Sequence, residues 1–260
     1  MSNFLKAEAY YVTKDPMFKG ISLLLLFGSA LLLVWMGVQV GFDIDSPLEP
    51  LITSIQLSFF LYFIIPIYVC FFATEGFEYG SVQTIIASGQ SRSLYLLGKY
   101  LTELKVVLWW VIQFFGLFYV LYMLAALVTG SHIGNESLEG KFIVAMGAIG
   151  FNILYLAAYS AVVLLLGVLM KKSATAVIAT FVFVFGDFLL SGYLKDSSYV
   201  YLRVISENTL TTQIFKFSAV NSHEIYTLNE GVRMILIPVV IIGVCLSVAL
   251  ISFEKRDVHL

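Results

Sequence analysis

Four polar side chains interrupt stretches of sequence that are otherwise almost wholly apolar: Gln56, Gln113, Asn152 and Asp187. Asp187, in the run FGDFLL, reads as the only carboxylate well inside such a stretch. At mid-depth in hydrocarbon an acidic residue costs roughly 2.5 to 3.5 kcal/mol on insertion scales, so it demands a partner or a polar cavity. Two chemistries meet that demand. Asp187 either belongs to a polar pathway or ion-coupling site, or is hydrogen-bonded near an interface, with a loop cation as its partner. Counted from Ser173 it lies about 21 Å along a helix that rises 1.5 Å per residue, which places it in the outer half and favours the second role. Gln56, Gln113 and Asn152 fit hydrogen bonding between helices better than contact along a substrate pathway.

No catalytic constellation accompanies them. The sequence has no GxSxG, no HExxH, no supported Cys and His pair and no two facing carboxylates within the apolar runs. His223 and Glu224 read HEIYT, which does not form a zinc motif. GNESLEGK, at 134–141, has one residue too many between its glycines for a phosphate-cradling loop and continues with Phe142 in place of Ser or Thr. Cys70 and Cys245 each fall in apolar runs and read as small core hydrophobes. A non-catalytic chain without metal or cofactor of its own is the expectation.

The elements that must position these groups follow from composition. Of 260 residues, 60% are apolar and only 12% charged, against about 25% charged in soluble domains. The chain therefore reads as an all-α integral membrane protein. Its net charge of -2 and lack of a basic stripe give no footprint for nucleic acid. Six runs are long enough to cross a bilayer core, which takes about 20 helical residues: 21–40, 52–74, 101–128, 142–170, 173–193 and 232–253. One side collects Lys6, Lys14, Lys19, Arg92, Lys99, Lys105, Lys171, Lys172, Lys255 and Arg256; the other has Lys141, Lys195, Arg203, Lys216 and Arg233. The richer side is cytoplasmic by the positive-inside rule, which puts both termini inside.

Three domains follow. Residues 1–20 lack the pattern of a signal peptide. They predict a short helix ending before Pro16, with Phe4, Leu5, Tyr11 and Val12 on one side, lying at the interface or extending as a solvated arm. Glu8 interrupts its apolar side. Residues 21–253 form the six-helix region, and 254–260 a cytoplasmic tail. The outer connection GFDIDSPLEP does little beyond reversing the chain. The outer segment 194–231 predicts an amphipathic helix with Leu210, Ile214 and Phe217 laid against the membrane surface. Pro66 and Pro238 predict kinks. Gly37 and Gly41 form a GxxxG that serves either a dimer seam or internal packing.

The longest cytoplasmic interruption is EGFEYGSVQTIIASGQSRSLYLLGKY, 75–100. Glu75 and Glu78 stand where a helix is expected to begin. Val82, Ile85 and Ile86 would give it an apolar patch in need of a partner, Ser88 and Gly89 would stop it, and Ser91 would cap the next helix. This stretch resembles the type 2 permease family of ABC transporters. Glu75, Glu78, Gly80, Ser88, Gly89, Ser91, Arg92 and Lys99 match the family's acidic and Gly pattern after the second span and its Lys before the third. The ending FEKRDV, 253–258, and the LKAE element before the first span are similar too, as is the layout of the whole chain.

The resemblance implies a six-helix permease subunit of a bacterial cell membrane that pairs with a second copy of itself. Two copies of a separate ATPase, carrying ATP and Mg, would receive 75–90 as a coupling helix, with Glu75, Glu78 and Arg92 orienting its edges. The chain looks most similar to exporters of amphipathic peptides, toxins or antibiotics, including lantibiotic-immunity and bacitracin-resistance permeases. Two other readings stand beside it: an ion-coupled secondary transporter using Asp187, and a non-transporting immunity or scaffold protein.

Overall fold

A computed structural model describes residues 2–39, 41–132, 134, 141–195, 197–218 and 228–255. Their regular structure is helical apart from one isolated bridge at Ile44. Helix α1 (Ser2–Lys14) stops before Pro16, which opens α2 (Pro16–Gln39), where its missing N–H costs no hydrogen bond. Asp15 Oδ1 caps α2 by accepting from the Met17 N–H at 2.9 Å. The second crossing is divided. It consists of α3 (Glu49–Leu57), a 3-10 turn (Ser58–Phe60) and α4 (Leu61–Glu78). Both α4 and the last helix continue through their prolines, Pro66 and Pro238.

The short α5 (Ser81–Ala87) leads into α6 (Arg92–Thr129), followed by α7 (Lys141–Met170), α8 (Ser173–Lys195), α9 (Val200–Glu207), α10 (Leu210–Ser218) and α11 (Leu228–Lys255). Among the described residues, six helical stretches are long and apolar enough to cross a membrane: Pro16–Gln39, Glu49–Glu78, Arg92–Thr129, Phe142–Met170, Ser173–Lys195 and Asn229–Lys255. They coincide with the six runs expected, with longer ends. At 38 residues, α6 measures about 57 Å against a hydrocarbon core of about 30 Å, so part of it projects beyond the core.

The even number of crossings brings Ser2 and Lys255 to one end of the bundle, here the terminal face; the opposite end is the distal face. At the centre stand the second and fourth crossings, with 61% and 67% of their apolar windows buried. The first, fifth and sixth surround them and leave Phe27, Trp35, Phe181 and Val240 open, as lipid-facing helices do. Trp110 packs the first, second and third crossings together, stacked on Phe18 at 5.3 Å and edge-on to Tyr68 at 4.8 Å.

Several expectations change here. The connection at 41–48 does more than reverse the chain: the Ile44 N–H donates to the His132 carbonyl (3.0 Å), and the His132 N–H donates to Asp43 Oδ1 (2.8 Å). The Gly134 N–H returns a bond to the Ile44 carbonyl (2.7 Å), stitching two distal connections. The rest of GNESLEGK, except the backbone of Lys141, lies outside the described residues, as do His223, Glu224 and 256–258. The helix containing Leu210, Ile214 and Phe217 exists, yet all three are buried in the bundle, Phe217 against Tyr155 at 5.3 Å. The helix with an open apolar side is α9. Gly37 is contacted by the ring of Phe42 from its own chain, at a spot a Cβ would fill, and Gly41 turns the chain at φ +83°. Both glycines serve internal geometry.

Candidate functional site

The strongest candidate lies at the terminal face, where α4, α5, α6 and α11 meet. The expectation that a helix begins at Glu75 is corrected: α4 continues through Glu78, and the Gly80 turn (φ +71°) separates it from α5. Glu75 and Glu78 thus occupy a helix C-terminal turn, where the macrodipole disfavours negative charge. Each has a donor in compensation. The Tyr11 hydroxyl donates to Glu75, and the Ser173 hydroxyl donates to Glu78. The bond to Glu75 is the main reason the Tyr11 phenol is raised above its ordinary value, with burial adding to it.

The apolar side of α5 is already covered. Val82 is 1% exposed and packs with Tyr95, Leu96 and Phe253, while Ile85 and Ile86 are half-buried against the same cluster. The patch expected to seek another chain is therefore closed by this one, because Tyr95 of α6 and Phe253 of α11 reach it first. What α5 presents outward is Ser81, Thr84, Ala87 and Ser88, next to Tyr79 at 79% exposure. The Gly89 turn (φ +94°) and Ser91, whose hydroxyl accepts from the Leu94 N–H at 3.3 Å, then start α6 as expected.

Two clasps fix this unit. Arg92 Nη1 donates to the carbonyls of Phe253 and Glu254, both at 3.1 Å, and the Ser93 hydroxyl donates to Glu254 Oε1 at 2.7 Å. A cation on the last carbonyls of α11 is well placed against its dipole. On the other side, α1 docks on α6. Lys99 Nζ donates to Glu8 Oε2 at 2.9 Å and lies 3.9 Å from the Phe72 ring centroid. Phe4 occupies the space where a Cβ on Gly98 would stand. Glu8, which broke the apolar side of α1 in the sequence, is the residue that pairs.

Glu103 was missed. It is fully buried one turn beyond Lys99, and neither carboxylate oxygen meets a hydrogen-bond donor among the described residues. Lys99 and Glu8 lie within electrostatic reach of it. So Asp187 is not the only carboxylate inside a crossing. The signal was available: Lys99 and Glu103 are opposite charges four apart on one helix face, the first counted in a flank and the second lying inside the run 101–128.

The four residues first singled out are dispersed through the bundle. Asp187 Oδ2 accepts from the Tyr159 hydroxyl (3.0 Å), the Thr211 N–H (2.9 Å) and the Thr211 hydroxyl (2.6 Å), binding α8 to α7 and to the first turn of α10. Its partners are hydroxyls and a backbone amide, where a loop cation was expected. Asn152 is buried at the break in the second crossing and accepts from Ser58 (3.0 Å) and Tyr62 (2.9 Å). Gln113 donates to the Ser22 carbonyl at 2.7 Å, beside Trp110, which donates to the Ser22 hydroxyl at 2.9 Å. Gln56 is exposed. Asn152 and Gln113 bond neighbouring helices together, as the sequence favoured.

The six crossings define the class: a multi-pass helical membrane protein. In comparisons with known proteins, no family model matches the chain and no curated protein matches it. Among the described residues no cluster of His, Cys, Asp and Glu has the makings of a metal site, and Cys70 and Cys245 are free thiols.

Proposed function

We propose that the chain is the membrane subunit of an ATP-driven exporter, working beside a second copy of itself in a bacterial cell membrane. A separate ATPase, present as two copies with ATP and Mg, seats the outward side of α5. The carrying observation is mechanical: α5 stands outside the crossings but shares one apolar cluster with residues of three of them. It continues from α4 through the Gly80 turn and puts Val82, Ile85 and Ile86 into one apolar cluster with Tyr95 of α6 and Phe253 of α11. A push on α5 is thus delivered to the second, third and sixth crossings together. The sequence carries no phosphate-cradling loop of its own, so the push comes from a partner. An amphipathic peptide, toxin or antibiotic is the cargo class in keeping with the sequence resemblance.

The docking contacts differ from those the sequence suggested. Ile85 and Ile86 hold α5 to its own chain, so Thr84 and Ala87 are the positions to disturb. The tagged chain, purified from its native membranes, should carry vanadate-sensitive ATP hydrolysis in a bound subunit. Thr84→Arg with Ala87→Arg should lower that co-purified activity at least tenfold while the chain still inserts and elutes as a single species. Full retention of the ATPase by the double variant would remove α5 from the interface.

A further inference from the structure

A cleft of about 580 Å³ opens on the distal face between the end of α8, α9 and α10. Cavities of this size suit a small-molecule ligand. Three of the five Lys and Arg on this side of the chain converge on it: Lys195 ends α8, Arg203 comes from α9 and Lys216 from α10. One carboxylate, Glu207, is among its lining residues. None of the three cations is in an ion pair among the described residues. Like charges gathered on three elements repel one another, so an anion placed between them stabilises the arrangement.

The form of α9 specifies that anion further. Its Ser206 hydroxyl donates to the Ser191 carbonyl at 2.9 Å and fixes it to α8. Arg203 and Glu207 then fall on the side that lines the cleft. Val200, Tyr201, Val204 and Ile205 fall on the open side, each more than half exposed. Short helices of this kind lie in the membrane interface with the apolar side down. Leu190 and Tyr193, near the end of α8, are exposed as well. Cationic cleft and lipid-facing surface are therefore continuous, which matches an amphiphile with an anionic head.

We infer that this cleft binds the phosphodiester headgroup of an anionic phospholipid from the leaflet it faces, with the acyl chains along α9 and the end of α8. A soluble phosphate would use the three cations and leave the apolar side unused. The site is independent of the ATPase reading.

The test uses the full chain in nanodiscs of equal phosphatidylglycerol and phosphatidylcholine, released into a native mass spectrometer. The wild type should retain phosphatidylglycerol over phosphatidylcholine by about tenfold, the scale of one to two net charge contacts at a membrane surface. Lys195→Gln with Arg203→Gln and Lys216→Gln should bring the ratio close to one. The matched exposed set on the terminal face, Lys6→Gln with Lys19→Gln and Lys105→Gln, should leave it unchanged. If the triple variant does not fold, Arg203→Gln alone is read, with a several-fold loss expected. Equal retention in both triple sets would overturn the site. Displacement of the lipid by millimolar glycerol phosphate, with no effect of Tyr201→Ser and Ile205→Ser, would overturn the lipid as its occupant.

Discussion

Lys99 is bonded to Glu8 across helices and stands one turn from Glu103 on its own. Removing one member of a buried pair leaves an uncompensated charge, a loss of about 3 to 5 kcal/mol. Lys99→Met should therefore lower unfolding stability in detergent by that order, since Glu8 is left buried without its cation. Glu8→Gln should cost clearly less, because Lys99 keeps an amide-oxygen acceptor and the face of the Phe72 ring. Equal losses would mean that neither contact compensates Lys99. The sequence showed Glu8 as an irregularity and Lys99 as one more flanking cation. Their union was not legible, since 91 residues separate them and only tertiary packing brings them together. Gln113 and Asn152 were legible, because an amide in an apolar run has few other ways to satisfy its bonds.

At the scale of elements, the informative contrast is between α5 and α10. Both were expected as short helices with apolar sides facing outward, toward a partner for α5 and toward lipid for α10. Both exist, and both turn those sides into their own bundle. Periodicity reveals which residues share a side, but it does not say which surface covers it. The boundaries of α5 were readable where glycine and serine chemistry set them, at Ser88, Gly89 and Ser91. The start was misplaced because α4 continues through both acids and the chain turns only at Gly80. The clasp from Arg92 to the end of α11 predicts a coupled response. Arg92→Gln should raise amide exchange at least tenfold in the last turn of α11 and the first turns of α6, leaving the centre of α7 unchanged. Exchange confined to α6 would show that the two ends are not held together.

The whole molecule is a statement about sidedness. Six crossings put α5 and both described ends on one face, and the cationic cleft on the other. Of the ten cations assigned to the inner side, Lys99 is spent in a buried pair, yet the bias toward the terminal face persists, and the positive-inside rule predicts that this face meets the cytoplasm. Single cysteines test this in a chain whose Cys70 and Cys245 are replaced by alanine. An impermeant maleimide on sealed right-side-out vesicles should label Asp45→Cys and Lys216→Cys at least tenfold faster than Lys14→Cys and Thr84→Cys. Inverted vesicles should give the reverse. Mixed labelling within either pair would break the six-crossing topology itself. A clean inversion would be more specific: it would place α5 where no ATP is supplied and end the coupling proposal, while the lipid cleft, which requires only a leaflet beside it, would stand.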